Sequence, residues 1–436
     1  MERRKLLITG AAALSIGARR ILGANDRVRV GLIGLGGRGN AHLGSYLQIP
    51  GSQLAAICDV NQAARERANA RITKAGQDKA VEFSDMRKLF DSKDIDAVSM
   101  ATPNHWHALG AIWAMAAGKD TYCEKPASHN PFESKQMIAA ARKYSRMCQI
   151  GSQSRSTPHC IEAIAALKDG IIGKVYMSKG LCFKRRKSIG KKPDAPVPPG
   201  LDWDMFLGPA PMRPFNELRF AYNWHWFWDT GNGDLGNQGV HQMDIARWGM
   251  GVANDHAGMK SVVSTGGKYA YDDDQETPNT QLASFDYGGR EIVFEVRGVL
   301  TGGEGTLGAG PKATNAVGNL FYGVDGWMEL DGSGYRVYKG ENNEVVKNVK
   351  AERGQDGTVR HMENFLAAVK SRNYKSLNAE IEIGGAAADL CHFANIAYRS
   401  GKRLKWDETK HIFDDVAANK MLTRDYRKPY VVPVKL

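Results

Sequence analysis

The chain has 436 residues, 42% of them hydrophobic and 24% charged, with a formal net charge of +12. That balance can bury one or two sizeable cores, sets two domains as the expectation and excludes a disordered chain. No run reaches the roughly 18 consecutive apolar residues of a membrane-spanning helix, and no period of about 20 to 50 residues recurs, which excludes a helical membrane span and a solenoid.

Met1-Glu2-Arg3-Arg4-Lys5-Leu6-Leu7 opens a short apolar run, Ile8 to Ala18, ahead of Leu22-Gly23-Ala24. A basic start, an apolar stretch and a small final residue mark residues 1–24 as an export leader, and the Arg-Arg pair with two leucines resembles a twin-arginine signal. The leader predicts a periplasmic protein; the competing reading is a basic helix that stays attached, in a cytoplasmic one. Arg19 and Arg20 are irregular within a leader. Beyond it the chain stays basic, yet the one dense cluster, Lys184-Arg185-Arg186-Lys187 with Lys191-Lys192, lies in a Pro/Gly loop without an aromatic stacking platform. A solvated loop, or one facing an acidic substrate, is expected there rather than a nucleic-acid site. Six cysteines, at 58, 123, 148, 160, 182 and 391, show no C-x-x-C pair and no metal spacing, so buried thiols are expected and no metal.

From Arg27 the strand and helix signals alternate as in a parallel sheet with crossover helices. Strands are predicted at Arg27 to Ile33, Gln53 to Cys58, Ala97 to Ala101, Thr121 to Cys123 and Met147 to Ile150, with helices at Asp85 to Asp91, Asn104 to Ala117 and Pro131 to Tyr144. Residues 25–151 therefore read as a doubly wound α/β Rossmann domain. A second α/β domain, 152–405, opens with a helix at Pro158 to Lys168, a strand at Lys174 to Phe183 and a long Pro/Gly-rich connection. Its later strands, Lys260 to Ser264, Gln281 to Asp286, Glu291 to Val299, Trp327 to Leu330 and Tyr335 to Tyr338, have no helices between them, which predicts a largely antiparallel open sheet. Helices Val359 to Ser371 and Glu380 to Arg399 follow, and a tail, 406–436, is expected to pack back across the protein.

Gly34-Leu35-Gly36-Gly37-Arg38-Gly39 follows an apolar strand, and Asp59 ends the next strand. This is a dinucleotide fingerprint in its proper context: Gly34 for the tight turn, Gly36 for close approach of a pyrophosphate, Gly39 for helix packing, and a helix N-terminus behind them. Asp59 can accept from both ribose hydroxyls and would repel a 2′-phosphate, so NAD is favoured over NADP. Val60 and Asn61 bring no cation, although Arg38 in the turn could.

Two more runs, Thr102-Pro103-Asn104-His105-Trp106-His107 and Glu124-Lys125-Pro126, follow the later strands. With the glycine turn they make a sequence that resembles the Gfo/Idh/MocA oxidoreductases over nearly all of the chain beyond the leader. The resemblance implies that Thr102, Asn104, His107, Glu124 and Lys125 face the cofactor, that Lys125 also faces the substrate, and that an unusual peptide bond precedes Pro126. An ammonium beside oxidised nicotinamide has its charged form disfavoured and can move an alcohol proton. The family's second signature is matched by Gly231-Asn232-Gly233-Asp234-Leu235-Gly236-Asn237-Gln238-Gly239-Val240-His241, which makes His241 an acid/base candidate. Asn237 stands where the family commonly has Asp. Asp244, nearly one turn beyond His241, is a candidate structural or electrostatic substitute.

Trp224-His225-Trp226-Phe227-Trp228-Asp229 reads either as core packing or as a sugar platform, with strand alternation turning some rings outward and His225 and Asp229 as polar partners. Arg155, at the domain junction, suits substrate or cofactor binding or an interdomain ion pair. The expected activity is hydride transfer between a sugar or polyol carbinol and nicotinamide, with Lys125 or His241 carrying the proton. Redox-assisted cleavage of a glycoside through a keto sugar is the alternative, and a non-catalytic NAD- or sugar-binding protein a further one. A homo-oligomer is expected.

Overall fold

A computed structural model describes residues 27–299, 301–308, 315–352, 354 and 357–436; the expected leader lies outside them. The first half alternates as predicted: β1 (Val28–Ile33), α1 (Gly37–Tyr46), β2 (Ser52–Cys58), α2 (Gln62–Lys74), β3 (Val81–Phe83), α3 (Met86–Asp91), β4 (Ala97–Met100), α4 (Asn104–Ala116), β5 (Asp120–Cys123), α5 (Pro131–Lys143) and β6 (Cys148–Ile150). The six strands form a parallel sheet in the order β3-β2-β1-β4-β5-β6. That order reverses between β1 and β4, which opens a crevice at their carboxyl ends where such sheets take their ligands. Local chemistry sets the helix starts: Asn61 caps α2 through Ala63 N–H, and Asn130 caps α5 through Glu133 N–H with Pro131 at the first helical position. Almost every residue of α4 is buried, His105, Trp106 and His107 included, as befits a helix enclosed on all sides.

The second half contributes α6 (Pro158–Lys168), β7 (Val175–Lys184), α7 (Trp203–Leu207), α8 (Val240–Met250), β8 (Ser261–Gly267), β9 (Thr280–Asp286), β10 (Glu291–Arg297), β11 (Asn315–Gly323), β12 (Gly326–Asp331), β13 (Gly334–Lys339), β14 (Glu344–Lys350), α9 (Gly357–Ser371), α10 (Ile381–Ser400), β15 (Leu404–Asp407), β16 (Ile412–Phe413) and α11 (Val416–Lys420). Its ten-stranded sheet runs β14-β13-β12-β11-β7-β10-β9-β8-β15-β16, and only the β7–β10 pair is parallel. Strand β11, with Gly318 and Asn319 at its centre, has no counterpart among the sequence expectations. Tertiary packing accounts for both: a Cβ on Gly318 would lie 2.7 Å from the Leu330 carbonyl oxygen, and the Asn319 amide donates to Gln242 O at 2.8 Å.

One core lies between this sheet and α8 and α10, with Met243, Phe285, Phe294, Leu390 and Phe393 fully buried. Helix α9 instead joins the Rossmann core, where Met362 and Phe365 pack with Val30, Leu32 and Tyr122. The tail packs on both domains: Arg427 donates to Asp204 and to Gly208 O of the second, and Tyr430 meets Trp106 of the first edge-on. All six cysteines are buried free thiols.

Candidate active site

A cavity of about 940 Å³ runs from the carboxyl ends of β1, β2, β4 and β5 to the start of α8. Its wall includes the glycine turn, Asp59, Thr102, Asn104, His107, Glu124 and Lys125 on the first domain, and Trp224, His225, Asn237 and His241 on the second. Residues far apart in sequence therefore share one space, of a size that suits a cofactor with a small substrate.

At its first end the backbone is shaped for a dinucleotide. Gly34 has φ +81°, where side chains are strained, and a Cβ on Gly39 would sit 1.8 Å from the Gly34 carbonyl oxygen. A Cβ on Gly36 would meet nothing within 4 Å, so the turn borders open space. The first turn of α1 has no side-chain cap and directs its N–H groups there. Asp59 accepts from Leu35 N at 2.6 Å and from Asn61 N at 2.8 Å. Burial raises its pKa while these two bonds pull against the rise. Thr102 Oγ1 is buried without a hydrogen-bond partner among the described residues, a polar group ready for a ligand. These features fit NAD: the glycine turn would hold the pyrophosphate, and Asp59 the ribose. Among the wall residues at this end that the sequence reading did not single out are Arg67 and Ser84. Arg67 lies on α2, the helix that begins just after Asp59, and that proximity in sequence was the available signal.

The middle of the cavity is organised by Glu124, whose Oε1 accepts from Arg38 at 2.7 Å, His42 at 2.8 Å and Gln153 at 3.0 Å. Burial opposes ionisation, but the Arg38 charge and the His42 hydrogen bond hold this carboxyl well below its ordinary range. Lys125 follows on a cis peptide to Pro126. Its Nζ donates to the carbonyl oxygen of Asn237 at 2.5 Å, and burial pushes the ammonium down to about 8, against the pull of Glu124. His107 lines the wall with both ring nitrogens committed, to Pro126 O at 2.6 Å and Thr102 O at 2.8 Å. Asn104 donates to Asn232 at 3.0 Å across the domain junction.

Residues Leu235–Gly239 form a π-helical turn ahead of α8, a widening that recurs at functional sites. It presents the Asn237 carbonyl to Lys125, while the Asn237 amide donates to Tyr222 Oη at 3.0 Å and to Asp234 at 3.3 Å. Asp234 is itself paired with Arg186 at 2.7 Å. Arg186, expected in a solvated loop or one facing an acidic substrate, is thus a half-buried support of the site. His241 makes no hydrogen bond among the described residues; burial, then the Lys125 charge, pushes it down to about 3, so the ring is neutral.

Four expectations are corrected. Asp244 does not serve His241: it forms a buried two-bond pair with Arg155, at 2.7 and 2.8 Å, and neither residue lines the cavity. Arg155 is therefore in an ion pair, but one within the second domain rather than between the two domains. Trp226 and Asp229 also lie off the cavity, Trp226 buried under Arg186 and Asp229 paired with Arg213. The aromatic run is not a strand; Asn223–Trp226 is a 3-10 turn, so alternation does not decide which rings face the ligand. Trp224 and His225 do face it, joined by Phe220 and by Tyr222, which is 52% exposed.

Comparison with known proteins gives the family and the fold. The model of the oxidoreductase family with an NAD-binding Rossmann fold matches residues 28–152, and that family's C-terminal alpha/beta domain matches 168–272 and 326–432. A glycosyl hydrolase family 109 protein from Saccharopolyspora erythraea is 28% identical over 217 residues, 49% of this chain. The chain spans only 42% of that relative's length. Among solved structures, the WlbA dehydrogenase from Bordetella pertussis, in complex with NADH and UDP-GlcNAcA, superposes with a TM-score of 0.64 at 20% identity, covering 87% of this chain and 99% of that one. Levoglucosan dehydrogenase, in complex with NADH and levoglucosan, gives 0.64 at 19% identity with the same coverage. At these identities the structures establish the shared fold.

Proposed function

This chain belongs to the Gfo/Idh/MocA family of NAD-binding oxidoreductases, and we propose that it transfers a hydride between nicotinamide and a carbinol carbon of a sugar or polyol. The observation that carries the reading is the placement of Lys125, Asn237 and His241 on the same cavity wall as the glycine turn and Asp59. NAD, when bound, supplies the hydride acceptor. The chain's own residues do the rest: Lys125, softened by burial, takes the hydroxyl proton as the carbinol is oxidised, and His241, neutral, offers a second polar contact to the same hydroxyl. Trp224 supplies a ring face for the C–H side of a pyranose. The two solved neighbours bound to NADH hold levoglucosan and a UDP sugar acid, which supports a carbohydrate substrate.

A second reading, redox-assisted cleavage of a glycoside, is supported by the similarity to a family 109 glycosyl hydrolase. The Arg3-Arg4 leader supports export of the folded protein to the periplasm, where no recycled nicotinamide pool exists and the cofactor would have to be regenerated within each cycle. A homo-oligomer completes the proposal. Protein purified from the exported fraction should carry about one NAD per chain by mass spectrometry and convert a member of a sugar and glycoside panel. Empty protein that turns over no sugar with added NAD would overturn the assignment. Cytoplasmic protein with its leader uncleaved would overturn export alone, and sedimentation as a monomer would overturn the oligomer.

A further inference from the structure

The strand order sets the direction of a bound dinucleotide. The glycine turn after β1 would hold the pyrophosphate and Asp59, ending β2's side of the crevice, the adenosine ribose, so the nicotinamide half runs the other way, past β4 to the ends of β5 and β6. Three polar side chains line the cavity there, Glu124, Lys125 and Gln153. A nicotinamide ring carries one polar substituent, a carboxamide whose NH2 needs an acceptor. Glu124 is already engaged: Oε1 accepts from Arg38, His42 and Gln153, and Oε2 accepts from Lys125 N at 3.2 Å. The Lys125 ammonium can only donate.

Gln153 is different. It opens a 3-10 turn, Gln153–Ser156, just after β6, and its Nε2 donates to Glu124 Oε1 at 3.0 Å and to Tyr122 Oη at 2.9 Å. Burial opposes ionisation of Glu124, but the Arg38 charge and the His42 hydrogen bond keep it a carboxylate, which accepts and never donates. The amide nitrogen of Gln153 therefore has to face Glu124, whichever way the two amide atoms would otherwise be placed. Both of its hydrogens are spent, and the amide cannot turn over without losing both bonds. That leaves Oε1, an acceptor with no donor among the described residues, on a side chain that lines the cavity.

We propose that Gln153 is the nicotinamide anchor of this chain, its Oε1 accepting from the carboxamide NH2 while Glu124 and Tyr122 hold the amide in place. The inference rests on NAD occupying the cavity and not on which sugar is oxidised. With the carboxamide held, the ring cannot rotate about its bond to the ribose, so one face stays turned toward Lys125 and His241. The same network ties the two halves of the coenzyme site together, because Arg38 belongs to the glycine turn and its guanidinium reaches the carboxylate that orients Gln153. An enclosed acceptor gives up its water when the coenzyme enters, so a coenzyme without the NH2 leaves Oε1 unpaired.

The test is a competition for the site that needs no substrate. The full-length protein is equilibrated with an equimolar excess of isotope-labelled NAD, 3-acetylpyridine adenine dinucleotide, in which a methyl replaces the NH2, and thionicotinamide adenine dinucleotide, which keeps it. After desalting, the released coenzymes are quantified by chromatography with mass spectrometry, the label separating exchanged NAD from any already bound. Wild-type protein should take up NAD over the acetylpyridine coenzyme by about tenfold or more, the scale of an acceptor left unpaired, and should take up the thionicotinamide coenzyme ahead of it too. In Gln153→Met both preferences should vanish or reverse, because the thioether offers no comparable acceptor. A merely structural role would weaken all three coenzymes alike and leave their ratios unchanged. The wild-type ratio tests the contact even where that variant does not fold, and Gln153→Leu serves as a second. Equal uptake of NAD and the acetylpyridine coenzyme by the wild type, or an undiminished preference in either variant, would overturn the proposal and leave the sugar reading untouched. Protein that takes up no dinucleotide would bring down the cofactor assignment itself, and this inference with it.

Discussion

Lys125 and Asn237 meet across the domain junction, the ammonium of one donating at 2.5 Å to the backbone carbonyl of the other. The contact joins the carboxyl end of β5 to the π-helical turn before α8, so the proposed proton carrier of one domain is held by the backbone of the other. Because the acceptor is a main-chain oxygen, it has no charge to hold the lysine protonated, and burial lowers the ammonium to about 8.

The pH dependence follows from that value. A lysine works as base only when neutral, so kcat/KM for alcohol oxidation should climb about tenfold per pH unit below 8 and level off above it. Reduction of a keto sugar, which needs the ammonium, should fall over the same range. Lys125→Arg should abolish the inflection, and Lys125→Ala should cost about two decades or more of turnover. A flat profile for the wild type would remove Lys125 from the proton path.

Asn237→Asp restores the residue type the family commonly carries, and here it should be costly. The amide now donates to Asp234 at 3.3 Å; a carboxylate there would face another carboxylate and lose that bond. The added anion beside Lys125 should move the pH inflection upward, by about one pH unit. Rate profiles of the variant and the wild type check the sign, since a downward move contradicts it.

Coenzyme choice turns on Asp59 and Arg67, which share the first end of the cavity. NAD should bind more tightly than NADP, and Asp59→Ser should narrow the gap by about tenfold or more by removing the repulsive charge. Arg67→Ala in that background should widen it again, because the remaining cation can no longer pair with a 2′-phosphate. Fluorescence titration with both coenzymes measures each step.

Arg155 and Asp244 should govern stability rather than chemistry. Asp244→Ala leaves a guanidinium buried and unpaired against Trp248, at a cost of about 3 to 5 kcal/mol in denaturant unfolding. The double replacement Arg155→Met with Asp244→Leu should recover most of that loss. Unfolding midpoints unchanged by Asp244→Ala would contradict the assignment.

The parts of the site legible in the sequence were those made by local chemistry. The glycine spacing after β1, the acid ending β2 and the Glu-Lys-Pro run after β5 each act within a few residues of their strand, so their positions survive any packing of the rest. His241 and Asn237 were found through the resemblance of a glycine-rich run, leading into a helix, to the family's second signature. Misreadings arose where a side chain's partner lies far along the chain. Asp244 was placed beside His241 by helical spacing, but its partner Arg155 lies 89 residues away. Tyr222 carried no signal at all.

The sequence by itself determined the family, the parallel sheet, the cofactor turn and the identity of the proton-carrying candidates, because strand period, turn glycines and cap residues are short-range constraints. The tertiary structure alone decided which candidates share the cavity. A single 3-10 turn sent Trp224 and His225 toward it and buried Trp226 under Arg186, and a π-helical turn gave Lys125 its backbone acceptor. Those choices depend on which buried polar groups find partners once two domains close on each other, and no spacing along the chain encodes that.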